Sequence, residues 1–120
     1  MTIVLLAHGS RDARWREPLE ALRDRIAGGD RRVELAYLQF CPPTIADALS
    51  ACASRGDREI LVVPVFLSGG GHLLRDVPEA IASAAAAHPA LSVHTTGVLG
   101  EEPEVLEAMA RATIRLARDG

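Results

Sequence analysis

Ile60-Leu61-Val62-Val63-Pro64-Val65-Phe66-Leu67-Ser68-Gly69-Gly70-Gly71-His72 is the stretch on which the fold turns. An unbroken apolar run of this length, rich in β-branched residues, suits a strand covered on both faces, as in parallel sheets. The glycines end the strand, and His72 lies just beyond them. The N-terminus repeats the pattern: Ile3-Val4-Leu5-Leu6-Ala7 leads into His8-Gly9-Ser10-Arg11-Asp12. Working outward, further strands are expected over about residues 33–40 and 91–95.

Helical patterns separate these runs. The first covers about 14–27, with Trp15, Leu19, Leu22 and Ile26 on one face and Pro18 near its first turn. The second opens at Pro42-Pro43-Thr44 and reaches about 54, and the third begins at Leu73 or Val77 and ends near 87. The last starts near Pro103 and ends near 118. Four strand–helix units in a row predict one α/β domain over 1–120. It is a three-layer sandwich with a four-stranded parallel sheet, flanked by helices, in the order 2-1-3-4. In that order strands 1 and 3 are neighbours, and the winding reverses between them. Ligands bind at such a switch point, outside the carboxyl ends of the strands. His8 and His72 both fall there, 64 positions apart, with Gln39 and Cys41 flanking from strand 2.

The chain has 120 residues, 48% hydrophobic and 24% charged, which is the composition of a globular domain, although small for a complete enzyme cleft. A net charge of −3, with no basic block, argues against nucleic acid as the main partner. No apolar run is long enough to span a membrane, and no export signal is apparent, so a cytoplasmic location is expected. All 13 basic residues are arginine. Of these, Arg11, Arg14 and Arg75 lie nearest the histidines and could fork onto carboxylates.

Two imidazoles at one sheet edge suit a divalent transition metal or a proton acceptor. Gly69, Gly70 and Gly71 beside His72 permit close approach of a flat ligand. His88 and His94 are read as structural, and Asp12 and Asp76 as helix caps. No G-x-G-x-x-G loop is present, and no organic cofactor is expected. Cys41 is a soft ligand near the edge or, more simply, a small buried residue.

Ala7-His8-Gly9-Ser10-Arg11-Asp12 resembles the first motif of the CbiX/SirB sirohydrochlorin chelatases. The stretch Val63–Pro78 is similar to their second motif, including Gly71-His72 and Asp76-Val77-Pro78, and Glu34–Phe40 with Pro43-Thr44-Ile45 is similar to the segment between. The resemblance implies insertion of cobalt, iron or nickel, as Co²⁺, Fe²⁺ or Ni²⁺, into sirohydrochlorin, with cobalt first. It implies that His8 and His72 bind metal and accept pyrrole protons, and that the short form works as a homodimer. Ser10, Arg11, Arg14, Arg75 and the three glycines are then candidates for binding the substrate, and Gln39 and Cys41 for assisting the metal. Many family members carry glutamate where this chain has Gln39. That departure favours an alternative: a non-catalytic metal or tetrapyrrole carrier on the same fold. A histidine-phosphatase reading is weaker, because Ala7 rather than arginine precedes His8.

Overall fold

The computed structural model describes the backbone of all 120 residues and the side chains of all but residues 72–74. Its strands are β1 (Thr2–Ala7), β2 (Arg32–Tyr37), β3 (Glu59–Pro64) and β4 (Ser92–Thr95). They form one parallel sheet in the order β2-β1-β3-β4, the expected topology. The helices are α1 (Glu17–Ile26), α2 (Ile45–Arg55), α3 (His72–Ala86) and α4 (Pro103–Asp119). Short 3-10 turns at Ala13–Trp15 and Leu99–Glu101 precede α1 and α4.

Side chains alternate across the sheet and build two cores. On one face Val4, Leu6, Ala36, Ile60 and Val62 meet Leu49 and Cys52 of α2 and Val77 and Ile81 of α3. On the other, Leu5, Val33, Leu35 and Tyr37 meet Leu19 of α1, with Leu22 and Ile26 at the margin. A capping box starts α2: Thr44 Oγ1 accepts from the Asp47 amide, and the Asp47 carboxylate accepts from the Thr44 amide.

Several boundaries differ from the expectation. β2 stops at Tyr37, short of the expected residue 40, and Phe40 itself takes a left-handed φ of 74°, outside the strand region. Trp15 does not join the buried face of α1. It sits in the 3-10 turn and is 76% exposed, since Pro18 confines the α-helical register to residues from Glu17 onward. Asp76 caps nothing at the start of α3, because the helix begins four residues earlier, after Gly71. Asp12 does cap, accepting from the Arg14 amide at 3.0 Å. The largest difference concerns α4, which has no buried residue and packs mainly on the turn before it. The radius of gyration, 15.4 Å, accordingly exceeds the roughly 13.5 Å of a compact domain this size.

At the amino end of the sheet Arg55 bridges Glu34 and Asp57, both at 2.9 Å, and the Thr2 hydroxyl donates to Asp57 at 3.0 Å. Burial works to raise the Asp57 pKa, but the Thr2 hydroxyl and the Arg55 guanidinium outweigh it and hold the carboxyl below its ordinary value. A depressed folded-state pKa contributes stability above the unfolded value, about 3.9, that is lost as pH falls through the folded value. Asp57→Asn should therefore flatten the acid limb of stability against pH. Urea midpoints at pH 3 and pH 6 check this: they should converge more in the variant than in the parent.

Candidate functional site

Backbone hydrogen bonds build the edge where β1, β2 and β3 end. The Leu38 and Gln39 amides donate to the Ala7 and His8 carbonyls at 2.9 and 3.0 Å, and the Val65 amide donates to the Leu6 carbonyl at 2.7 Å. The three strand ends are thus tied together beyond the last ladder residues. Gly9, at φ 103°, makes the turn that follows, and its Cα faces the Gln39 carbonyl so closely that a Cβ would collide with it.

His8 emerges from this seam exposed to solvent. It lines a cleft of about 360 Å³ with Gly9, Ser10, Arg16, Tyr37 and Phe66. That is the low end of the roughly 300–1,000 Å³ typical of small-molecule sites. A large flat ligand would extend beyond it. The Phe40 ring lies nearly parallel to the His8 imidazole, with centroids 6.1 Å apart, and the Arg11 guanidinium sits over the Phe40 ring, 5.5 Å from its centroid. Phe40 therefore links the two residues that sequence reasoning selected, and sequence reasoning did not select it. The available signal was an aromatic side chain three residues after a strand in a chain that is only 3% aromatic.

The remaining candidates divide by what already occupies them. The Ser10 hydroxyl accepts from the Asp12 amide at 3.1 Å, and Arg14 is forked onto Asp12 at 2.9 Å on the open surface. The Arg14 side chain, then its own amide, hold the Asp12 carboxyl below its usual range. Gly69 is buried, and its amide donates to the Glu101 carboxylate at 2.9 Å, so Gly70 and Gly71 are the exposed part of that loop. Arg75 is exposed on α3, and Gln39 is exposed beside His8. Cys41 is buried with Leu35 and Tyr37, as the simpler reading had it. His72 opens α3 after the loop from β3, the strand next to β1. Its imidazole lies outside the described side chains, as do those of residues 73–74. Among the described residues no three His, Cys, Asp or Glu side chains converge as a metal cage. Arg16, half-buried at the cleft wall, is a cation that the sequence alone did not mark. No helix among the described residues is long and apolar enough to cross a membrane.

The sequence profile of the CbiX family matches residues 2–116. A sirohydrochlorin cobaltochelatase of Methanopyrus kandleri is 36% identical over 81 residues, which are 66% of this chain and 57% of that protein. One from Methanocaldococcus jannaschii is 37% identical over 78 residues, 63% of this chain and 54% of that protein. The match thus spans little more than half the length of these relatives. Among solved structures, a CbiX protein from Marinobacter aquaeolei VT8 superposes with a TM-score of 0.89 at 29% identity, covering 99% of this chain and 98% of its own. The sirohydrochlorin chelatase SirB from Bacillus subtilis subspecies spizizenii, in complex with cobalt, gives 0.80 at 28% identity over 97% of this chain and 50% of its own.

Proposed function

Because this chain belongs to the CbiX family, we propose that it inserts a divalent transition metal into sirohydrochlorin or a close tetrapyrrole. Cobalt is the first expected metal, ahead of iron and nickel. The cobaltochelatases among the relatives support cobalt, and of two similar SirB structures one holds cobalt and the other Fe³⁺. The observation that carries the reading is His8, exposed at the carboxyl end of β1, one strand from the loop that delivers His72.

Metallation exchanges two pyrrole N–H protons for one dication. A neutral imidazole has one unprotonated ring nitrogen, so it can hold an incoming Co²⁺, Fe²⁺ or Ni²⁺ or take a proton from the macrocycle. His8 and His72 are assigned these two tasks. Arg11, Arg75 and the exposed amides of Gly70 and Gly71 would meet the carboxylates of the substrate, and Arg14 and Ser10 would do so only by leaving Asp12. A cleft of about 360 Å³ covers part of a macrocycle, which supports a homodimer whose second copy supplies the rest. The proposed setting is cytoplasmic, with no organic cofactor.

Gln39 favours a second reading, a carrier that binds metal or pigment without accelerating insertion. An amide bears no charge and cannot act as a base at neutral pH. Anaerobic spectrophotometry separates the two: sirohydrochlorin is mixed with Co²⁺, Fe²⁺ or Ni²⁺, with and without protein, in parent and His72→Ala forms. A rate above the blank that His72→Ala loses supports the chelatase. A shifted pigment spectrum with no added rate supports the carrier. In the same assay Gln39→Glu should insert metal at least as fast as the parent, because it restores the usual family side chain. A clear loss of rate would mean that the edge works differently.

A further inference from the structure

Two cavities near the carboxyl edge share a wall made by Arg16 and Tyr37. Both residues line the cleft of about 360 Å³ beside His8, and both line a second cavity of about 280 Å³ whose other walls include Arg23, Glu34 and Pro43. Their backbones are fixed. The Arg16 amide donates to the Ala13 carbonyl at 3.0 Å, and the Arg16 carbonyl accepts from the Leu19 and Glu20 amides at 3.1 Å. The Tyr37 amide donates to the Pro43 carbonyl at 2.8 Å, where β2 ends.

The side chains on this wall have polar groups to spare. Tyr37 is only 4% exposed and belongs to the core of Leu5, Leu19 and Leu35. Among the described residues its hydroxyl makes no hydrogen bond, and none of their buried side-chain polar atoms is both sealed from solvent and unpaired. The hydroxyl therefore opens onto the cavities that Tyr37 lines, where a donor without a partner is costly until water or a ligand meets it. Burial above all, then Cys41 and Glu20, raises the Tyr37 pKa, so the phenol keeps its proton at neutral pH and donates. Arg16 is half-buried and forms no ion pair among the described residues. Its neighbours are already engaged: Arg55 holds Glu34 at 2.9 Å, and Arg23 rests on Asp24 at 3.0 Å. Among the described residues no carboxylate lines the cleft on the His8 side, so Arg16 sets the charge there.

A guanidinium and a neutral phenol on one wall suit a carboxylate, which offers an oxygen to each donor. We propose that Arg16 and Tyr37 form a subsite for one peripheral carboxylate of the tetrapyrrole, and that this anchor fixes the edge of the macrocycle beside His8. The inference rests on the proposed function and adds the residues that orient its substrate. Arg11 and Arg75 stand on the open surface, whereas this pair is built into the cleft wall and holds its ligand in one orientation.

The test reads binding rather than turnover. Metal-free sirohydrochlorin is titrated anaerobically into the full chain, and quenching of Trp15, the sole tryptophan and a residue of the same cleft, reports occupancy. Tyr37→Phe and Arg16→Gln should each weaken binding about tenfold or more, the usual effect of losing a hydrogen bond to a charged group. With the methyl ester of the pigment, which bears no carboxylate, parent and variants should bind alike. Tyr37→Phe should keep the parent's urea midpoint, because its hydroxyl has no partner in the chain to lose. Equal affinity of parent and variants for the acid overturns the subsite and leaves the chelatase reading standing. So does a loss that persists with the ester, a lowered midpoint in Tyr37→Phe, or an equal loss in Arg23→Gln, which would trace the effect to overall charge. Acetate that shifts Trp15 emission in the parent alone, with pigment affinity unmoved by the substitutions, assigns the pair to free anions and overturns it as well. A parent chain that binds no pigment overturns the subsite and the proposed function together.

Discussion

His8→Ala should slow cobalt insertion into sirohydrochlorin by about a hundredfold to ten-thousandfold, the usual span for removing a group that accepts a proton in the rate-limiting step. The same change should leave the urea midpoint nearly where it is. His8 is exposed, and its ring meets Phe40 at a centroid distance of 6.1 Å, a contact whose loss is worth about 1 kcal/mol at most. The two readouts together isolate chemistry from folding. Pigment binding, followed by its spectral shift, should persist in the variant, because Arg11 and the Gly70–Gly71 amides are untouched. A His8→Ala protein that metallates at the parent rate would remove the imidazole from the reaction and with it the reading argued above.

Gly9→Ala should be the most damaging small substitution at the edge. The backbone there has φ 103°, which an L side chain rarely adopts, and the added methyl would land on the Gln39 carbonyl oxygen. Neither group can yield, since the Gln39 amide is itself bonded to the His8 carbonyl at 3.0 Å. Backbone strain and overpacking each cost about 1–3 kcal/mol. Together they put the loss at about 2–6 kcal/mol, a large share of the stability of a domain this size. Urea unfolding would register it as a much lower midpoint. Gly97→Ala is the matched control: a Cβ there meets nothing within 4 Å, and its midpoint should barely move. Equal losses in both variants would mean that the close approach at Gly9 carries no energetic weight.

The sheet order was legible because β1 and β3 are apolar runs of strand length and each crossover has the length of a helix, which leaves right-handed parallel topologies as the simple choice. His8 was legible for the same reason: it is the first polar residue after such a run. Other features depend on partners far along the chain. Nothing near Gly69 indicates that its amide belongs to Glu101, 32 residues away. Phe40 continues the apolar pattern of β2 yet leaves the strand, because periodicity carries no information about a positive φ. The pattern of α4 states that one side wants an apolar partner, but periodicity is silent on which surface, or which molecule, provides it. Trp15 illustrates the opposite error, where a helical spacing was extended through a position that Pro18 keeps out of register.

The seam at the strand ends is made by main-chain groups: Leu38 to Ala7, Gln39 to His8, Val65 to Leu6. Main-chain bonds are indifferent to which side chain each residue bears. The loops can therefore keep their course while the side chain at position 39 changes from acid to amide. Under the proposed function, the edge is a socket in which reactive groups are interchangeable parts. Divergence in metal preference, or deliberate redesign of it, has room to proceed there by single replacements, with Gly9 as the fixed pin that such changes must leave in place.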